Sequence, residues 1–240
     1  MTVAIVGAGP GDPGLITVRA LELVRACEIL VYDRLVSLGL VTQAVGAAWI
    51  ARETLTQDEV NQLLVHHGRQ GRKVVRLKGG DPFIFGRGAE EVDALQAAGV
   101  DYEVVPGLST LTAVPGLAGI PLTARGVASQ LTVLTGTSGD GRELDYEQLA
   151  GAPGTLVIFM GLARLETIAD NLILAGRPVD EPAAAISQLS LPGAERRIGT
   201  LGTIAGVARG LASPAIVVIG NVVARASQLN AVIELARDER

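Results

Sequence analysis

Three short segments place residue types that do chemistry at the ends of apolar runs. The first, Gly7-Ala8-Gly9-Pro10-Gly11-Asp12-Pro13-Gly14, follows Val3-Ala4-Ile5-Val6. Glycine lets a chain turn sharply after a strand and approach a ligand closely. A dinucleotide loop would open directly into a helix, but Pro10 and Pro13 interrupt this segment and delay helix to about residue 15. Asp33 comes near the usual acidic position of a nicotinamide fold without quite matching it. No Gly-Lys-Ser/Thr follows the glycines, so this is not a Walker phosphate loop. A structural turn and a loop for another ligand both stay open. The second segment is Gly79-Gly80-Asp81-Pro82, after the run Val74-Val75-Arg76-Leu77. Two residues without Cβ there leave main-chain N–H and C=O groups open to a cofactor, the alternative being a tight turn. The third is Asp33, which ends an apolar run and precedes Arg34. That placement can present a carboxylate to a cleft as a proton acceptor; pairing with Arg34 or capping a turn would be structural roles.

These segments need elements to position them. The pattern predicts strands over about 2–7, 29–32, 73–77 and 102–105, with a weaker one over 45–50. Short, continuously apolar strands of this kind read as parallel and covered on both faces. Helices are expected over about 17–26, from Thr56 with Glu59 completing a capping box, and over 86–98 closed by Gly99. Residues 106–126 hold repeated Pro and Gly without sustained periodicity, so the domain boundary is placed between 110 and 125, giving domains 1–115 and 116–240. A second series follows, with strands over about 131–135, 155–160, 183–187, 195–201 and 215–220. Helices are expected there over about 163–175, 203–211 and 225–237. The fold class is α/β, in two α/β domains, and a groove between such domains is the expected ligand site.

Bulk composition bounds the function. At 240 residues with 48% hydrophobic and 19% charged residues, the chain can bury a large aliphatic core. Only seven aromatic residues and a net charge of -5 argue against base-stacking platforms and against a general grip on nucleic acid or anionic membranes. Cys27 is the single cysteine, which excludes a disulfide within the chain and fits a cytoplasmic setting. No signal peptide or membrane span is expected. His66 and His67 adjoin on a helix and do not face one another, so no metal site is expected.

The ordered motifs Val6-Gly7-Ala8-Gly9-Pro10-Gly11-Asp12-Pro13-Gly14-Leu15, Tyr32-Asp33-Arg34-Leu35-Val36-Ser37 and Val75-Arg76-Leu77-Lys78-Gly79-Gly80-Asp81-Pro82-Phe83-Ile84-Phe85-Gly86-Arg87-Gly88 recur at wide spacing. Val105-Pro106-Gly107, Gly119-Ile120-Pro121-Leu122-Thr123 and Phe159-Met160-Gly161-Leu162 continue them. With these motifs the sequence resembles the tetrapyrrole methyltransferase family over nearly its full length, and within it the uroporphyrinogen-III C-methyltransferases, which the Tyr-Asp-Arg-Leu-Val-Ser segment favours. The resemblance implies a homodimer, a tetrapyrrole methylase fold with S-adenosylmethionine in a trough between two α/β domains, and two successive methylations of uroporphyrinogen III to precorrin-2.

By the same resemblance, Pro10, Gly79, Gly80, Asp81, Ile84, Ser109, Thr110, Met160 and Leu189 are cofactor contacts, and Asp33 is the proton acceptor. The substrate's eight carboxylates call for guanidinium groups. Arg34, Arg52 and Arg125 are the expected substrate contacts, whereas Arg76 and Arg87 read equally well as structural ion pairs. The family's proposed proton-donor lysine has no match in Ala47–Glu53, where Arg52 is the nearest basic residue, and Ala124 stands where relatives usually carry histidine. A methyltransferase for another tetrapyrrole and a non-catalytic ligand-binding homologue are the competing readings.

Overall fold

The computed structural model describes residues 2–137, 141–188 and 193–228. The chain divides into two compact units, Met1–Thr110 and Leu111–Arg240. In the first, elements run β1 (Val3–Gly7), α1 (Val18–Ala26), β2 (Ile29–Tyr32), α2 (Leu38–Val41), β3 (Ala48–Ala51), α3 (Gln57–Arg69), β4 (Val74–Lys78), α4 (Gly88–Ala97) and β5 (Tyr102–Val105). The strands form one parallel sheet in the order β3-β2-β4-β1-β5. Successive side chains of a strand point to opposite faces. Ala4, Val6, Leu30, Val75 and Leu77 therefore pack with Ala20 and Val24 of α1 and Leu40 and Val41 of α2. Val3, Ile5, Ile29, Val31 and Val74 pack with Val60 and Leu64 of α3 and Leu95 of α4. Each Val, Leu or Ile among them, fully buried, stabilises the unit by about 1.5–3 kcal/mol before entropy is counted.

Local chemistry sets the helix starts. Thr17 caps α1 by accepting from the Ala20 N–H. Thr56 and Glu59 form the expected capping box at α3, each satisfying a backbone N–H that has no helical partner. The α4 start differs from expectation: Arg87 sits at φ 60 just before the helix, so the helix opens at Gly88.

The second unit runs α5 (Thr110–Leu117, beginning on the last residue of the first unit), β6 (Leu131–Thr135), α6 (Tyr146–Gly151), β7 (Thr155–Phe159), α7 (Leu165–Leu174), β8 (Pro182–Ser187), β9 (Glu195–Thr200), α8 (Ile204–Val207) and β10 (Ala215–Ile219). A 3-10 turn over Asn221–Gln228 follows, and the rest of the helix expected over 225–237 lies outside the described residues. The sheet order is β6-β7-β10-β8-β9, with β6 and β7 parallel and the other neighbours antiparallel. Leu156, Ile158, Ala183, Ala185, Val217 and Ile219 cover α7 and α8, while Val157, Ala184, Ile186 and Val218 meet Val114 and Ala118 at α5 and Val222 of the last turn.

Helix α5 was not expected. Pro115 lies inside it, and proline removes a helical hydrogen bond. Burial of Ala113, Val114 and Pro115 outweighs that loss over so short a helix. The helix expected over 203–211 is confined to α8, four residues long.

Candidate functional site

Three backbone loops meet at the carboxyl ends of β1, β4 and β5. Gly9 N–H donates to Gly80 O at 3.2 Å and Gly80 N–H to Gly9 O at 2.7 Å, so the first two loops are tied as a small antiparallel bridge. A Cβ on Gly7 would lie 2.4 Å from Gly107 N and 2.6 Å from Gly80 O. Those approaches are closed to any other residue. Gly80 has φ +66, a left-handed conformation that glycine adopts without steric cost. Asp81 links the loops through its carboxylate: Oδ1 accepts from Phe83 N–H at 2.9 Å and Oδ2 from Gly107 N–H at 3.2 Å.

The structure thus gathers Gly79, Gly80 and Asp81 with the segment that carries Ser109 and Thr110. A Cβ on Gly80 would lie 3.2 Å from Thr110 Oγ1. Pro10, half-buried, adjoins the Gly9 bridge. Ile84 is exposed between Phe83 and Phe85, on a loop closed by Gly88 N–H donating to Pro82 O at 3.0 Å. Met160 belongs to the second unit, half-exposed after β7 with φ 51. Leu189 lies outside the described residues.

Asp33 follows β2 and pairs with Arg76, not with Arg34. Arg76 Nη2 donates to Asp33 Oδ1 at 2.5 Å. Arg76 and Lys78 are two residues apart on β4 and share its α3/α4 face, where both are buried. Their common anion is Glu91 of α4. Its Oε1 accepts from Arg76 Nε at 2.9 Å, Lys78 Nζ at 2.8 Å and Gln57 Nε2 at 3.3 Å. Burial, then the neighbouring Arg76 charge, pushes the Lys78 ammonium below its ordinary range, and Glu91 partly offsets that. Arg52 Nη2 donates to Gln57 Oε1 at 3.2 Å, so Arg52 and Asp33 belong to one polar network.

Sequence reading missed Glu91, Lys78 and Gln57. The available signal was the pair of cations at alternate positions of a buried strand, which requires a buried anion. Arg34 and Arg125 are exposed and have no ion pair among the described residues. Arg87 pairs with Glu90 at 2.7 Å on the surface. The His66 and His67 rings meet edge to face 5.0 Å apart, and His66 contacts Gln70.

A parallel α/β sheet that gathers joined glycine loops and a carboxylate at its strand ends defines a ligand-binding protein of the kind with its site outside those ends. Residues 2–205 match the family model of the tetrapyrrole (corrin/porphyrin) methylases, and the chain belongs to that family. It is 40% identical over 235 residues to a siroheme synthase of Citrobacter koseri, covering 95% of this chain and 51% of the relative. A siroheme synthase of Salmonella typhimurium is 40% identical over 237 residues with the same coverage. The chain spans about half the length of these curated relatives. Among solved structures, a uroporphyrin-III C-methyl transferase from Thermus thermophilus complexed with S-adenyl homocysteine has a TM-score of 0.83 at 37% identity, covering 93% of this chain and 99% of that one. A cobalt precorrin-4 methyltransferase of cobalamin biosynthesis has a TM-score of 0.86 at 26% identity, covering 92% and 95%. The expected tetrapyrrole methylase fold, of two α/β units, is the fold of this chain. Among the described residues no helix is long and apolar enough to cross a membrane.

Proposed function

We propose that this chain is an S-adenosylmethionine-dependent C-methyltransferase that converts uroporphyrinogen III to precorrin-2 by two successive methylations. The observation that carries this reading is the glycine cradle of Gly7, Gly80 and Gly107 beside Asp81, in a chain that matches the Thermus enzyme over nearly its whole length. The residues suit a folded amino-acid nucleoside. Gly79 and Gly80 offer main-chain groups, Ser109 and Thr110 hydroxyls, and Ile84 an apolar surface, with Pro10, Asp81, Met160 and Leu189 as further contacts on the family likeness.

When bound, S-adenosylmethionine supplies an electrophilic methyl group on a cationic sulfur. Each transfer joins that methyl to a tetrapyrrole carbon, breaks its bond to sulfur and releases one proton. Asp33, paired with Arg76 and partly exposed, accepts the proton. Arg34 and Arg125 pair with substrate carboxylates, and Arg52 assists from the edge of the Gln57 network. In-line alignment of carbon, methyl and sulfur supplies most of the acceleration, which is why the missing family lysine does not exclude turnover. The homodimer, the cytoplasmic setting and the lack of nucleic-acid or membrane partners belong to the same reading.

The test is anaerobic incubation of the protein with S-adenosylmethionine and uroporphyrinogen III, followed by mass analysis of the tetrapyrrole. A gain of two methyl groups is expected, and unmodified tetrapyrrole beside an active control enzyme would overturn the assignment. The unmatched family lysine, and Ala124 where relatives usually carry histidine, favour one second reading, a methyltransferase for another tetrapyrrole. Methylation of a later corrin intermediate, with uroporphyrinogen III unchanged, would select it.

A further inference from the structure

The buried cluster beside Asp33 is larger than an ion pair needs. A lone pair would satisfy Asp33 with one cation, yet four charged side chains and Gln57 converge here. Glu91 is fully buried, and its Oε1 alone serves Arg76, Lys78 and Gln57, while its Oε2 has no hydrogen-bond partner. The Arg76 guanidinium is planar and rigid. It spends Nε on Glu91, Nη1 on Leu77 O and Nη2 on Asp33 Oδ1. Its plane is therefore set by Glu91 and the β4 backbone before Asp33 is reached.

We infer that Glu91 is a positioning residue for Asp33, acting through the shared guanidinium of Arg76. Glu91 and the strand fix the guanidinium plane, the plane fixes where Asp33 Oδ1 lies, and the other carboxylate oxygen is the one that takes the substrate's proton. Lys78 has a separate part. It supplies a second cation beside the two carboxylates, so Glu91 and Asp33 do not compete for one positive charge. A guanidinium suits this bridge because its fixed fork spans two carboxylates at once, whereas an ammonium is a point charge. The inference rests on the reading of Asp33 as proton acceptor.

The test is a double-mutant cycle between Glu91→Gln and Asp33→Asn, read by transfer of labelled methyl and by calorimetric binding of S-adenosylhomocysteine. Glutamine keeps the shape but replaces the charge-assisted bonds to Arg76 and Lys78 by weaker neutral ones, which loosens the hold on the guanidinium. Expected for Glu91→Gln are S-adenosylhomocysteine affinity within about twofold of the parent, KM for uroporphyrinogen III within about threefold, and kcat lowered at least tenfold. In the Asp33→Asn background, Glu91→Gln should lower residual transfer by less than twofold, since its effect passes through the missing carboxylate. An undiminished effect in that background would overturn the inference. Unaltered transfer by Asp33→Asn alone would instead sink the reading of Asp33 while leaving methyltransferase activity intact. Arg76→Lys provides a second cycle that keeps every buried charge and removes only the bridge. It should lower kcat similarly, with the same loss of effect beside Asp33→Asn; additivity there would also refute the relay.

Discussion

Replacing Gly107 with alanine tests whether the joined loops are the ligand cradle. The added Cβ would lie 2.2 Å from Gly80 O and 2.7 Å from Gly7 Cα. Ordinary contact begins near 3.4 Å, so the first gap is about 1.2 Å short. Both obstructing atoms are backbone, and no rotamer change relieves them. The β4 and β5 loops must part, and the bonds at risk are Gly107 N–H to Asp81 Oδ2 and the pair between Gly9 and Gly80. Overpacking of this kind costs about 1–3 kcal/mol. Losing one or two of those hydrogen bonds adds about 0.5–1.5 kcal/mol each, for a total of roughly 1.5–6 kcal/mol. Urea unfolding followed by circular dichroism measures the stability, and calorimetry with S-adenosylhomocysteine measures the site. Gly107→Ala should lower the first unit's midpoint and weaken binding at least tenfold. Gly116→Ala, whose Cβ would meet nothing within 4 Å, should leave both unchanged or slightly improve stability. A Gly107→Ala protein with the parent's midpoint and affinity would refute the cradle.

Glu91→Leu should destabilise by about 3–5 kcal/mol in the same urea assay, because Arg76 and Lys78 stay buried against Asp33 alone. Native Cys27, its thiol pushed up to about 11 by burial, should resist iodoacetamide at pH 8 and react once the chain is unfolded, as read by intact mass. Thr56→Ala should cost about 1 kcal/mol through the lost cap of α3, measured at neutral pH. Glu59 is held below the usual carboxylate value of 4.5, chiefly by the Thr56 N–H and then by its hydroxyl. A depressed folded value means that its stabilisation is present above about pH 4.5 and is lost as pH falls through the lower, folded value. Urea midpoints taken down that range should therefore fall less steeply for Glu59→Gln than for the parent. Arg34→Ala should raise KM for the tetrapyrrole about tenfold while leaving S-adenosylhomocysteine affinity unchanged, as initial rates and calorimetry will tell.

The strands over 29–32, 102–105 and 131–135 were legible to the residue because each is a short run rich in aliphatic, aromatic or β-branched residues that ends at Asp33, Pro106 or Gly136. The capping box at Thr56 was legible for a similar reason: both partners lie within one turn. Helix α5 was hidden by Pro115, since local propensity reads proline as a break and cannot register the burial of Val114 and Ala118 beneath the second sheet. Antiparallel pairing of β8, β9 and β10 was equally hidden, because a buried strand's composition does not record its neighbour's direction.

At the site, the amino-acid sequence alone determined that glycine loops follow β1 and β4 and that Asp33 ends a buried strand, for these are relations between neighbours in the chain. Only tertiary structure decided what Asp33 meets. Its adjacent cation, Arg34, points to solvent, while Arg76, 43 residues away, is carried to it because β2 and β4 pair in the sheet. The packing of α4 on that face of the sheet brings Glu91 to Lys78, and with it the charge balance of the cluster. Strand order and the burial it creates select such partners, since a charge withdrawn from water must be matched by whichever opposite charge the fold brings within reach.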